Sequence, residues 1–235
     1  MFTLMIAFGD IFGLGGSSAI SRLLGEKKDN EAKKTCAFCI WISLVFGLCI
    51  SAILLLFRTQ ILGLLGVGKD TYQYANAYYT WIAIGAVSII FSMVPSNILR
   101  TEGLAVQSMA GSIIGSIVNI IFDPIFIFGL NQGAAGAAMA TVLGNIIADI
   151  YYVYAVVKKS KRLTCSPSHM KVTGRRIRDI LMIGIPASIT NIMQTFMMVM
   201  TNNFLLTYGT DKVAAMGIAL KVNMITALVL VGFAF

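Results

Sequence analysis

The hydrophobic positions of this chain gather into seven long runs, near residues 1–21, 36–57, 78–98, 108–129, 134–157, 181–206 and 213–235. Short polar or charged stretches separate them. Each run approaches the roughly 20 residues that a helix rising about 1.5 Å per residue needs to cross a hydrocarbon core about 30 Å thick. The pattern predicts an all-α integral membrane protein, a polytopic helical bundle of seven transmembrane segments. The opening run has no basic leader, and its glycine-rich second half passes straight into a charged loop, so it reads as a span and not as a signal peptide. The first and last runs are expected to be cut, as in a fragment that starts late in one repeat and stops early in the next.

Composition agrees with the runs. The chain is 57% hydrophobic and 12% charged, against about 25% charged in an ordinary soluble domain. Charge placement then orients the bundle. Five Lys or Arg lie between Arg22 and Lys34, one at Arg100, and eight between Lys158 and Arg178, whereas the alternate loops hold Arg58, Lys69 and Lys212. By the positive-inside rule the loops 22–34, 100–107 and 158–180 are cytoplasmic, and the net charge of +8 faces anionic lipid. Basic residues split by membrane spans, without an aromatic platform, do not make a nucleic-acid surface.

The loop KKSKRLTCSPSHMKVTGRRIRDI (158–180) is the longest polar stretch and the natural boundary. Residues 1–157 then form an amino-terminal lobe, 158–180 a cytoplasmic linker and 181–235 the start of a second lobe. Ile177, Ile180 and Leu181, set against Arg175, Arg176, Arg178 and Asp179, predict an amphipathic lead-in at the cytoplasmic surface. A weak repeat, MFTLMIAFGDIF (1–12) over MITALVLVGFAF (224–235), fits a protein built from repeated halves.

Several motifs dissolve on inspection. GLLGVGKD (63–70) approaches a phosphate-binding loop, but Asp70 stands where magnesium needs a hydroxyl, and no strand precedes it. Cys36 and Cys39 form a CxxC at the start of a greasy helix and read as small packing residues. Cys165 and His169, two ligands in one loop, do not make a zinc site.

The fourth run carries more. Gly111 and Gly115 form a GxxxG, and the same step continues to Asn119 and Asp123 inside NIIFDPIFIFG. Steps of four drift only about 40° around a helix, so this face is a packing seam that turns polar further out. The fifth run follows after a turn near residue 132, so it is antiparallel. Thr141 is then expected level with Asp123, and Asn145 level with Asn119. Pro124 has no N–H, which frees the carbonyl of Ile120 and invites a bend. A carboxylate, two amides and a hydroxyl converging in the membrane suit a hard cation such as Na+, or the carboxylate takes a proton. Asp10, Asp149 and Lys221 are the other intramembrane ionisable groups; Asp10 is a candidate for lining a cavity, Asp149 equally fits a structural role, and Lys221 invites comparison with a retinal Schiff base.

GLGGSSAISRLLGEKK (13–28), LRTEG (99–103), NIIFDPIFIFG (119–129), GAAGAAMATV (133–142), IGIPASITN (183–191) and AAMGIALKV (214–222), in this order, resemble the multidrug and toxic compound extrusion (MATE) family, most closely its DinF and NorM-type bacterial branch. The resemblance implies a transporter, not an enzyme, of twelve helices in two six-helix lobes, of which these segments are helices 2 to 8. It implies multi-pass residence in the cell membrane and secondary active export of cationic or amphipathic drugs by antiport against Na+ or H+, with no other cofactor. Its cation site maps onto Asn119, Asp123 and Thr141, together with an acid on a first helix that precedes this chain. A helix-7 acid of NorM-type members falls at Gln194, a candidate cavity-lining position like Asp10 and Lys221. Two rivals remain: a lipid-linked oligosaccharide flippase of related architecture, which calls for a cationic cavity, and a seven-helix receptor or retinal protein, which calls for a chromophore at Lys221.

Overall fold

The computed structural model describes residues 2–65, 67, 72–160, 162–167 and 172–234. Lys69, Asp70 and His169 lie outside the described residues. The elements are α1 (Phe2–Gly25), α2 (Asp29–Leu56), a short α3 (Arg58–Leu64), α4 (Tyr72–Thr101), α5 (Ala105–Pro124), a π-helical turn (Ile125–Gly129), α6 (Gly133–Lys158), α7 (Gly174–Leu206) and α8 (Thr210–Ala234). Among the described residues six segments are long and apolar enough to span a membrane: α1, α2, α4, α5 with its π turn, α6 and α7. The seventh run is helical as well, as the 25-residue α8.

By packing the chain divides into two units, Met1–Met193 and Gln194–Phe235, with the boundary inside α7. In the first unit α4 is the central helix, touching α1, α2, α5 and α6, and it buries Ile82, Ile89, Ile90, Val94, Ile98 and Leu99. Small residues admit the neighbours. A Cβ on Gly9 of α1 would stand 2.9 Å from the Ile90 carbonyl oxygen, and one on Gly13 would stand 3.0 Å from that of Met93. The GxxxG of the first helix is therefore a backbone-to-backbone contact with α4. The outward faces stay greasy: Ile113, Ile117, Ile120 and Ile121 of α5 are all exposed, as lipid-facing residues should be.

The two cytoplasmic turns close with the same hydrogen bonds. After α1, Lys28 N–H donates to Leu23 O at 2.9 Å and Lys27 N–H to Leu24 O at 3.1 Å; after α4, Leu104 N–H donates to Leu99 O at 2.9 Å and Gly103 N–H to Arg100 O at 3.1 Å. Both are Schellman caps, which need a left-handed residue after the helix. Gly103 takes that role at φ 83°, and Lys27 takes it at φ 59°. A side chain there costs about 1 kcal/mol. Gly103→Ala is therefore expected to destabilise the protein by about 1 kcal/mol, and Lys27→Gly to stabilise it by a similar amount; thermal unfolding in detergent reads both.

The described stretch 162–167 of the linker is packed against the first unit. Leu163 is buried among Ile20, Leu23 and Cys36, and Trp41 Nε1 donates to Cys165 O at 3.0 Å. Burial pushes the Cys165 thiol up to about 11, which leaves it unreactive at neutral pH. The amphipathic lead-in is no separate surface helix: from Gly174 it is the first turns of α7 itself. Its apolar side goes inward with Ile180 fully buried, and its basic side meets solvent, where Arg176 pairs with Glu31 at 2.5 Å. Higher up, Gly15 and Gly184 let α1 and α7 touch, a Cβ on Gly15 falling 3.1 Å from Gly184 Cα.

Candidate functional site

The antiparallel pair α5 and α6 forms one wall of the first unit, joined by the turn around residues 130–132. Their seam is made of glycine. A Cβ on Gly115 would lie 3.0 Å from Gly144 O, and one on Gly144 only 2.6 Å from Gly115 O. Further out, Gly136 faces the backbone of Phe126 at 2.6 Å. Nearer the cytoplasm Gly111 is covered by the ring of Tyr152.

Beside this seam a cavity of about 270 Å³ opens, lined by Ser112, Ser116, Asn119, Thr141, Asn145 and Tyr152, with Ser92 and Met93 contributed by α4. Its lining polar groups are tied to one another and to helix carbonyls. Asn119 Nδ2 donates to Thr141 Oγ1 at 3.3 Å, Thr141 Oγ1 donates to Ala137 O at 2.9 Å, and Asn145 Nδ2 donates to Thr141 O at 2.8 Å. On the cytoplasmic side the Tyr152 hydroxyl meets Ser112 Oγ at 2.8 Å and donates to Ser108 O at 3.3 Å. Tyr152→Phe is expected to cost about 1 kcal/mol of stability while leaving the ring over Gly111 in place; a thermal shift in detergent measures it.

Asn119, Thr141 and Asn145 thus meet in one cavity, and Asp123 does not line it. Thr141, expected level with Asp123, instead bonds Asn119. Asn145, expected level with Asn119, bonds its own helix, and Gly144 takes the place opposite Asn119, a Cβ there lying 3.4 Å from Asn119 Cβ. The physical reason is twofold. The pairing of the helices is shifted slightly from a centre at residue 132, and the drift of about 40° per four residues carries Asp123 around from Asn119. Asp123 is half-buried, and its Oδ1 is sealed from solvent with no hydrogen-bond partner among the described residues. It lies within electrostatic reach of Tyr78 on α4. Directly after it the helix changes: α5 ends at Pro124, and the next turn is π, with Leu130 N–H donating to Ile125 O at 3.0 Å.

The other candidates are dispersed. Asp10 is buried, and its Oδ2 accepts from Asn191 Nδ2 of α7 at 3.0 Å. Asp149 accepts from Ser88 Oγ of α4. Gln194 and Lys221 belong to the second unit, where both are exposed. Ser112, Ser116 and Tyr152 line the cavity without having been expected there; the four-residue repeat Ser108, Ser112, Ser116, one position around from the glycine ladder, carries the signal for the serines.

A family profile described as MatE matches residues 1–125, more than half of the chain. The chain belongs to the MatE family. It is 34% identical over 232 residues to the multidrug export protein MepA of Staphylococcus haemolyticus, covering 99% of this chain and 51% of that protein. The fold is similar to that of a multidrug resistance MATE family transporter of the MOP superfamily in an inward-facing conformation, with TM-score 0.89, 29% identity, and coverage of 95% of this chain and 51% of that one. An outward-facing conformation of such a transporter matches with TM-score 0.85, 29% identity, and 95% and 50% coverage. This MatE chain spans about half the length of the curated relatives it matches. Its helices make it a multi-pass membrane protein.

Proposed function

We propose that this MatE chain is the amino-terminal lobe and the start of the second lobe of a multidrug efflux transporter, which exports cationic or amphipathic drugs by antiport against Na+ or H+. Residues 158–180 serve as the connection between lobes. The observation that carries the reading is the lone Oδ1 oxygen of Asp123. A carboxylate oxygen left without a partner inside a bilayer is costly, and an acid in that position is retained for what it binds.

Donor chemistry fits either coupling ion. The carboxylate, the Asn119 and Asn145 amides and the Thr141 hydroxyl are all hard oxygen ligands. A proton needs Asp123 alone. Sodium needs several oxygens at once, so the Asn119 to Thr141 contact would have to open toward Asp123. Either ion neutralises the acid and favours whichever conformation binds it better, and the two states separate by no more than that differential affinity. Asn119, one turn away on the same helix, would share in holding the ion; Thr141 and Asn145 would tie the response to α6.

The flippase alternative loses ground because none of the described residues lining the α5–α6 cavity is Lys or Arg. A cavity for lipid-linked phosphates would need such groups. The test is reconstitution of the complete protein in proteoliposomes loaded with ethidium, under an imposed Na+ or pH gradient. Gradient-dependent efflux is expected with one of the two ions. Efflux equal to that of protein-free vesicles under both gradients overturns the proposal.

A further inference from the structure

A second cavity lies on the flank of the bundle, between α2, α4 and α6. It measures about 540 Å³, within the usual range for small-molecule sites. Its walls are Leu44, Ile84, Phe91, Ile146, Ile150 and Val153, with Ser88 and Asp149 at the polar end. Ile84, Ile146, Ile150 and Val153 are exposed along its mouth. On α6 these positions form a stripe about 110° around the helix from Thr141, Asn145 and Tyr152, so the crevice opens away from the α5–α6 cavity.

The crevice has one ionisable group and, among the described residues, no basic partner for it. Asp149 is the sole ionisable residue among the described residues lining it. Its Oδ2 takes the Ser88 hydroxyl, whereas its Oδ1 is sealed from solvent and has no partner among the described residues. A buried carboxylate with one oxygen satisfied calls for a cationic donor at the other. The apolar walls call for a hydrocarbon chain on that donor. Depth narrows the choice further: Asp149 sits nine residues before the end of α6 at Lys158, about 13 Å below the cytoplasmic end of the helix. A phospholipid head group anchored at the interface is too shallow to reach it.

We propose that this crevice binds a single-chain amphipathic ammonium ion dissolved in the bilayer, with its nitrogen on Asp149 Oδ1 and its chain along Ile146, Ile150 and Val153. The site is separate from Asp123 and does not depend on antiport. In it, Ser88 holds Oδ2, and a small turn of the Asp149 side chain brings Oδ1, sealed from solvent here, to the incoming N–H. Because the ligand enters from the side, its affinity depends on its concentration in the membrane.

The test uses the complete protein in phosphatidylcholine and phosphatidylglycerol vesicles with a dodecylammonium probe carrying a diazirine on the chain. Photolabelling is expected on α6 around Ile146 to Val153, displaced by unlabelled dodecylammonium and not by dodecanol. Asp149→Asn should reduce labelling at least about tenfold, the effect of losing a charge pair worth ~1.4 kcal/mol or more. Ile146→Trp, which fills the crevice and spares the Asp149 to Ser88 contact, should reduce it as well. It decides the matter should Asp149→Asn fail to fold. Replacing half of the phosphatidylcholine with phosphatidylethanolamine should leave labelling unchanged. Labelling that survives Ile146→Trp, equal displacement by dodecanol, or loss in phosphatidylethanolamine vesicles overturns the proposal.

Discussion

Asp123→Asn in the complete protein is expected to cut ion-driven efflux of ethidium from proteoliposomes sharply while leaving ethidium binding intact. The amide has nearly the shape of the acid and so preserves packing on α5. It cannot take a proton, and it brings no negative charge to a sodium ion. What it removes is the difference in ion affinity between two conformations. Coupling energies of ~1–3 kcal/mol correspond to about 5- to 150-fold, and the ion-dependent part of the rate should fall by an amount in that range. Asp123→Glu should recover part of it. Efflux that stays gradient-dependent in the Asn variant would rule out Asp123 as the coupling group. Asp10→Asn, by contrast, keeps the contact to Asn191 and should have a smaller effect.

The second large effect belongs to the glycine seam. Gly144→Val places two methyl groups on a Cβ that already falls 2.6 Å from Gly115 O and 3.4 Å from Asn119 Cβ. The nearest obstacle is backbone, which moves only if α5 and α6 separate. Overpacking of this kind costs about 1–3 kcal/mol where side chains can yield, and more is expected where they cannot. Separating the two helices also breaks the 3.3 Å contact between Asn119 and Thr141. The variant should therefore lose thermal stability and efflux together. Gly63→Ala is the control: a Cβ at Gly63 meets nothing within 4 Å, and its melting temperature should barely move. Equal behaviour of the two variants would show that the seam does not hold the helices at this spacing.

The Asn119, Thr141, Asn145 cavity was legible in the sequence because two conditions coincide. A short turn makes α5 and α6 neighbours, and a step of four keeps small and polar residues on one face. The rotation of Asp123 away from that cavity was not legible. It depends on a few tens of degrees of helical drift and a small shift in pairing, below what spacing alone resolves. The two faces of the amphipathic segment at Arg175 to Asp179 were legible as well. Its depth was not, since Ile180 is buried by residues over 140 positions earlier, such as Ile20 and Cys36. Asp10 with Asn191 and Ser88 with Asp149 are partners of the same kind, 181 and 61 residues apart. No periodicity within one helix announces such pairs.

The π turn after Pro124 carries a consequence of a mechanical kind. Its Leu130 to Ile125 bond spans five residues where an α turn spans four, so Ile125–Gly129 accommodates one residue more than the same rise of α-helix requires. Relocating that surplus residue toward the cytoplasm would turn the segment it crosses by about 100°, the rotation per residue of an α-helix, with hydrogen bonds exchanged and not lost. Asp123 lies two residues from this turn, and a rotation of that size is larger than the drift that now separates it from Asn119. The helix thus contains, next to its acid, a ready means of swivelling the acid without unwinding.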